Sequence, residues 1–487
     1  MTSLSTPSRA ESTGQRAATW APLAVILCGT FVYVLDFFIV NVALPSIQRG
    51  LAASPAAIEW IVAGYGLSSA AFLITGGRLG DHYGRRKMFC AGIAVFTVAS
   101  ALCGAAPDAG FLIAARLAQG IGGAVMAPNV LSILGTTYSG PARVKAISVY
   151  GMVMGLAAVG GQLIGGLLIG ANVGGLGWRL IFWVNVPVGI AALALARRLV
   201  PESRAAESGT GSAGRLDLRG AALLTAALVA ILLPLLDGRQ QGWPAWSWAC
   251  LAAGPVILGL FAAHLRQAAR HAGHPLLDPA IFAVRAFRAG VACQLLFYCQ
   301  TAAGYLLLAL YLQEGRGLSP MKAGGVFAVL AVGFIATSLR APALTMRFGR
   351  RVVATGALLA ALGNVLLILA VHPGAPLIAL FPGLFLLGAG QGLCLTPLTT
   401  TVLSHADATR AGSVSGALAT AQQVGNAVGV AVSGVIFYGL LADGHGYATA
   451  YRWSIAEMGA LLVGVAALAF TIPRVVGPAR TAPSRER

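Results

Sequence analysis

The sequence predicts an all-α integral membrane fold of fourteen transmembrane helices, arranged as two six-helix halves with an inserted helix pair between them. Three observations carry this. Of the 487 residues, 57% are hydrophobic and only 10% are charged, with a mean hydropathy of +0.80, whereas soluble domains are about a quarter charged. Fourteen apolar stretches come close to the roughly twenty residues that a helix needs to cross a hydrocarbon core. Finally, the basic residues alternate between successive loops, as the positive-inside rule demands of a multi-pass chain.

Taken in order, residues 1–20 are a polar tail, and the apolar run after it is too long for a signal-peptide core, so it reads as a retained anchor. The spans are 21–44, 57–76, 88–106, 111–134, 146–170 and 179–200, which make the first half within 21–200. A small, polar linker begins at Pro201, and the spans 219–236 and 246–264 with a second, proline-interrupted basic linker complete the insert, 201–286. The second half, 287–473, holds 287–311, 323–340, 352–372, 377–403, 413–440 and 452–473, and 474–487 is a polar tail. With the N-terminus in the cytoplasm, the inner loops collect Arg78, Arg85, Arg86, Lys87, Arg143, Lys145, Arg197, Arg198, Arg266, Arg270, Arg285, Arg288, Arg347, Arg350 and Arg351. The outer loops and helix ends collect only Arg49, Arg179, Arg239, Arg316, Lys322 and Arg452. Both termini are therefore expected in the cytoplasm.

The net charge of +18 is accounted for by these loops, so no nucleic-acid partner is expected. The seven cysteines are odd in number, lie mostly in apolar runs and lack CxxC spacing, which leaves neither a disulfide framework nor a metal site. The glycine clusters GIGG (Gly120–Gly123) and GAGQG (Gly388–Gly392) lie in apolar runs with no preceding strand, so they are not read as nucleotide loops. Nothing points to an enzyme.

The first helix carries one acid, Asp36, well inside its apolar run. A carboxylate in hydrocarbon costs roughly 2.5–3.5 kcal/mol on insertion scales, and those that persist face protein or a water-filled cavity. Asp36 is the first candidate for a proton site. Arg116, in the fourth span, is a second embedded charge. Asp36 lies about 22 Å from the inner end at about 1.5 Å per residue. Arg116 lies a few residues from the outer end of a helix running the other way. Both fall in the outer third, so they can pair or share a water chain. An arginine beside the acid favours its ionised form, and moving the arginine away lets the acid take a proton, which is the coupling an antiporter needs.

Motifs along the chain make the reading specific. GRLGDHYGRRK (Gly77–Lys87) follows the second span, with MRFGRR (Met346–Arg351) echoing it after the tenth. LDFFIVNVALP (Leu35–Pro45), ARLAQGIGGA (Ala115–Ala124), GLAAVGGQLIGG (Gly155–Gly166) and WRLIFWVNVPVG (Trp178–Gly189) complete the first half. Together they resemble the major facilitator superfamily, and within it the fourteen-helix drug:proton antiporters of the multidrug efflux type. The resemblance implies the major facilitator fold and a secondary transporter of a bacterial cytoplasmic membrane, working as a monomer. It implies no cofactor, with the proton gradient as energy source, and the lipid bilayer, a small organic substrate and protons as partners. It assigns Gly77, Arg78, Gly80, Asp81, Gly84, Arg85 and Arg86 to a cytoplasmic gate, with Asp81 reaching the start of the thirteenth helix near Gly412–Ser415. Gly161, Gln162, Gly165 and Gly166 stand in an antiporter-type helix motif, where this chain has Gln162 in place of the usual proline.

Other embedded polar residues are candidates to line a substrate cavity: Tyr33, Asn41, Gln119, Tyr150, Gln294, Tyr298, Gln300, Tyr305, Gln391 and Gln423. For any one of them, interhelical hydrogen bonding is an equal alternative. The expected function is proton-coupled export of organic compounds by alternating access. A proton symporter or narrow-substrate exporter on the same scaffold, or a transport-dead membrane sensor, is the alternative.

Overall fold

The computed structural model describes residues 20–138, 140–203, 217–238, 241–270, 279–372, 374–403 and 411–472. The polar tails fall almost wholly outside these residues, as do most of the first linker and residues 271–278 of the second. The described residues are helical throughout, without a strand. The helices of the first half are α1 (Ala21–Leu51), α2 (Pro55–Tyr83), α3 (Arg85–Gly104), α4 (Ala109–Thr137), α5 (Gly140–Ala171), α6 (Leu180–Trp183) and α7 (Asn185–Leu199). An inserted pair follows, α8 (Leu218–Asp237) and α9 (Ala245–Arg270). The second half holds α10 (Arg285–Leu310), α11 (Pro320–Ser338), α12 (Ala341–Phe348), α13 (Arg351–Ala370), α14 (Phe381–Leu403), α15 (Ala411–Ala442) and α16 (Tyr447–Ala469). Among the described residues, thirteen spans are long and apolar enough to cross a membrane, and α5, as a bent pair, makes a fourteenth.

The two halves repeat one plan. In the first, α4 packs against α2 and α3; in the second, α14 packs against α11 and α13. The second span of each half starts with the same device. Ser54 and Ser319 each precede a proline, and each hydroxyl accepts a backbone N–H three residues on, from Ala57 and Lys322. Proline is tolerated there because the first-turn N–H has no helical partner anyway. A basic turn around a glycine at positive φ follows α2 directly, at Gly84 (φ 111°), and follows α11 after the short α12, at Gly349 (φ 57°), a conformation that costs any residue with a Cβ. Because successive spans alternate in direction, these turns share one end of the bundle with the described Arg143, Arg197, Arg198, Arg285 and Arg288, here called the basic end.

Three spans depart from the expected limits. Helix α1 runs through Pro45 to Leu51, so the proline lies inside the helix instead of ending it. The sixth span is broken. It starts as short 3-10 turns, continues as α6, and resumes as α7 at Asn185. Pro187 has no N–H to offer Trp183, which removes the hydrogen bond that would join the two pieces. Helix α10 ends in a π-turn, Tyr311–Gly315.

The inserted pair is not an outlying appendage. Leu224, Leu228, Leu232 and Leu236 recur every fourth residue along one stripe of α8. They share a buried cluster with Ala63, Leu67, Ala70 and Ile74 of α2 and Ala417, Leu418, Ala427 and Ala431 of α15. Helix α8 therefore lies along the seam between the halves.

Candidate functional site: a dry ion pair beside the seam

Asp36 and Arg116 meet. Both side chains have zero solvent exposure, and an Arg116 Nη1 donates to Asp36 Oδ2. Helix α1 supplies the acid, and three other helices close around it. From α4, Gln119 Nε2 donates to Asp36 Oδ1 at 2.8 Å, and its Oε1 accepts from Arg116 at 2.8 Å. From α7, Asn185 Nδ2 donates to the same Oδ1 at 2.6 Å. From α3, Ser100 bonds Gln119 at 2.7 Å. The guanidinium is held further by the Ile61 carbonyl at 3.0 Å and lies 4.3 Å over the Tyr65 ring. A buried pair of this kind is tolerable only when hydrogen bonds satisfy its remaining polar atoms. The carboxylate here has three donors. The guanidinium keeps one buried nitrogen, Nη2, without a partner.

The direction of the acid matters. Residues advance about 100° per position on an α-helix, so Phe38 lies on nearly the opposite side of α1 from Asp36. Phe38 touches Tyr305 of α10, ring centroids 5.2 Å apart. Asp36 thus faces the interior of the first half, and Phe38 faces the second. Tyr33, one turn before, also crosses the seam, where its hydroxyl accepts from Gln423 of α15. Tyr65 donates to the Tyr33 carbonyl at 3.1 Å.

The remaining candidates divide. Tyr305 donates to Gln391 of α14 at 2.8 Å; Tyr298 is buried near Tyr305 and near Tyr150 of α5, which in turn neighbours Tyr33. Gln294 shares the α10 stripe of Tyr298 and Tyr305 by helical spacing, and its Oε1 is buried without a partner. Both polar side-chain atoms of Asn41 are also buried and unpartnered. These groups form an aromatic seam with amides in it. Two candidates leave it. Gln119 belongs to the Asp36 network, because its place one turn from Arg116 on α4 points it at the acid. Gln300 lies on the face of α10 where Cys293 bonds the α16 backbone, and it donates to its neighbour Thr301 at 2.7 Å.

The antiporter-type motif packs two helices at once. Built at Gly161, a Cβ would sit 3.1–3.2 Å from backbone atoms of Ile39 and Leu35; at Gly165 it would sit 2.6 Å from Val42. Both face α1. At Gly166 it would sit 2.5 Å from the Pro320 carbonyl of α11. Gln162, standing where the pattern has proline, donates to the Phe38 carbonyl at 2.8 Å. Helix α5 still bends, by 42° between residues 145–158 and 160–171. Tandem Gly160 and Gly161 stand at the bend, a usual cause of kinks when proline is absent.

At the basic end, Gly77 packs on Pro128, Gly80 on Asn129, and Gly84 makes the turn. Asp81 has a local partner. Its Oδ1 accepts from Arg85 at 2.8 Å across its own turn, a local contact that costs little chain entropy. The side chains of Ser413 and Ser415, at the end expected to receive Asp81, lie outside the described residues. Arg86 ties the turn to the end of α7, with its backbone N–H on Glu202 at 3.0 Å and its side chain on the Val200 carbonyl at 3.2 Å. Arg78 is half-buried on α2.

Sequence reasoning did not assign Asn185 to the acid. A polar residue two positions before a proline in an apolar run was the available signal. The opposite end carries a second missed feature: Gln313, in the π-turn, donates to the Val42 carbonyl at 2.8 Å, and Glu314 pairs with Arg49 at 2.9 Å. Both join α1 to the second half.

A many-helix bundle with a desolvated ion pair on one side of a two-half seam defines a multi-pass membrane transporter. The Major Facilitator Superfamily profile matches residues 26–430, and the chain belongs to that family. It is 37% identical over 436 residues to the probable actinorhodin transporter of Streptomyces coelicolor, covering 88% of this chain and 74% of that protein. The puromycin resistance protein of Streptomyces alboniger is 35% identical, covering 96% and 95% of the two chains. The cephamycin export protein of Amycolatopsis lactamdurans is 33% identical, covering 99% and 98%. Among solved structures, a D-xylose-proton symporter superposes with a TM-score of 0.66 at 16% identity, covering 95% of this chain and all of that one. That likeness speaks to the fold.

Proposed function

We propose that this chain exports an organic compound from the bacterial cytoplasm in exchange for protons, with Asp36 binding the proton and Arg116 as its counter-charge. One observation carries this: the only acid deep in α1 is held dry against an arginine on one side of the helix, while the other side of the same helix touches the second half. Protonation removes the charge that holds Arg116. The guanidinium then falls back on Gln119, Ile61 and the Tyr65 ring, and α1 loses its strongest tie to α4 and α7. Tyr33 and Phe38 carry the resulting shift of α1 to α15 and α10. Helices of 21–200 rock against those of 287–473, with 201–286 as the insert between them. Both termini lie in the cytoplasm, so the basic end is the cytoplasmic end. The chain works as a monomer, without a cofactor, on the proton gradient.

The relatives are described as a probable actinorhodin transporter, a puromycin resistance protein and a cephamycin export protein. The seam residues Tyr33, Phe38, Tyr150, Tyr298 and Tyr305, with the amides of Gln391 and Gln423, suit an aromatic compound with hydrogen-bonding groups at its rim. Everted vesicles carrying the wild type should accumulate such a compound when a proton gradient is imposed and release protons when the compound is added. Asp36→Asn should insert normally, still exchange labelled against unlabelled substrate, and show no proton release. Full proton-coupled export by Asp36→Asn would remove Asp36 from the coupling role. Proton uptake into the vesicles together with the compound would favour a symporter.

A further inference from the structure

We propose that a cavity between α3 and α7 at the basic end binds the headgroup of an anionic phospholipid. The cavity measures about 380 Å³ and is lined by Arg86, Lys87, Cys90, Ala91, Ala94 and Arg197. It stands outside the seam and outside the Asp36 network. Three cations from two helices meet over a floor of small side chains. Arg86 is partly compensated by Glu202, 3.6 Å away. Lys87 and Arg197 have no carboxylate within ion-pairing distance among the described residues. Basic pockets between transmembrane helices attract anionic headgroups, each cation near the surface adding to the attraction.

What lies above the cations distinguishes a lipid from a soluble anion. Lys87, Ala91, Ala94 and Val98 fall at spacings of four, three and four, which is one face of α3. Arg197, Ala194 and Ile190 make the matching stripe on the antiparallel α7. Val98 is 62% exposed and Ile190 59% exposed, so both stripes turn from charge at the rim to bare aliphatic surface deeper in. A phosphate group fits the rim, and acyl chains fit the stripes below it. A free phosphate ion would use only the rim.

The test uses the full chain, purified in mild detergent and analysed by native mass spectrometry during titration with phosphatidylglycerol, phosphatidylcholine or inorganic phosphate. Wild type should retain one phosphatidylglycerol that phosphatidylcholine does not displace. Lys87→Gln with Arg197→Gln should bind it about 30-fold more weakly, which is about 2 kcal/mol at 1.4 kcal/mol per decade. Because removing inner-loop charge can disturb insertion, two further variants keep the charges. Lys87→Arg with Arg197→Lys should retain the lipid, and Ala91→Trp, which fills the cavity, should lose it. Arg347→Gln with Arg351→Gln, in the other basic turn, should retain it. Undiminished retention in the Gln pair and in Ala91→Trp would overturn the site. Displacement of the lipid by millimolar inorganic phosphate would make it a soluble-anion site and overturn the lipid assignment.

Discussion

The coupling between Asp36 and Arg116 can be weighed by a double-mutant cycle. Replacing Arg116 with Leu leaves a dry carboxylate with only the Gln119 and Asn185 amides as donors. Replacing Asp36 with Asn leaves a dry guanidinium on the Ile61 carbonyl, the Gln119 amide oxygen and the Tyr65 ring. Breaking one side of a buried pair costs about 3–5 kcal/mol, because the other charge is stranded. The two single variants should therefore sum to about 6–10 kcal/mol. The double variant Asp36→Asn/Arg116→Leu strands no charge. It loses a few net hydrogen bonds at about 1 kcal/mol each, so its cost should be about 2–3 kcal/mol. The coupling energy is then at least about 3 kcal/mol, far outside the roughly 0.5 kcal/mol within which independent sites add. Thermal unfolding of the purified variants reads this directly, because the double variant should melt above both single ones. A double variant that melts below both, by the sum of their shifts, would show that the two charges do not depend on each other.

Two further outcomes follow from the same geometry. Asn185→Leu removes one of the two amides on Asp36 Oδ1 and should cost about 1.5–3 kcal/mol, the range for a hydrogen bond to a charge, seen as a lowered melting temperature together with reduced substrate-driven proton release. Gly165→Val puts new carbons within 2.6–2.8 Å of Val42 and Ile39, which should cost about 1–3 kcal/mol of overpacking, whereas Gly259→Val, with nothing within 4 Å, should melt like wild type.

Most of the scaffold was legible in the sequence because the bilayer is a strict solvent. Every spanning segment must satisfy its own backbone, so apolar length and loop charge give the helices and their alternation. Asp36 and Arg116 were legible for the same reason, since each breaks an apolar run. The direction of a side chain across a bundle is less legible, as it depends on which neighbour each stripe meets. Gln119 and Gln300 read as seam residues in one dimension and turn out to face the interior of their own halves. The bend in α5 was tied to a proline that this chain lacks, yet adjacent glycines supply the same freedom. The local Asp81–Arg85 contact, one helical turn apart, follows from spacing alone, whereas a partner on a distant helix does not.

The arrangement of α1 and α8 constrains how a rocking motion can be driven. Asp36 points away from the second half, so its charge does not act across the seam directly. In the proposed cycle it would act on whether α1 moves with α4 and α7 or independently of them. The backbone contacts at Gly161 and Gly165 tie α1 to α5, and α5 meets α11 through Gly166. In the proposed cycle a change at the acid would therefore reach the second half by two routes, through Tyr33 and Phe38 and through α5. Helix α8 adds a restraint of a different kind, because its leucine stripe packs on α2 and α15 together. In lipid, leucine gains little from leaving acyl chains for protein, and close packing supplies the attraction. Such a contact should slide at low cost while it resists full separation, so in the proposed cycle the inserted pair would let the halves tilt along the seam and keep lipid from entering it.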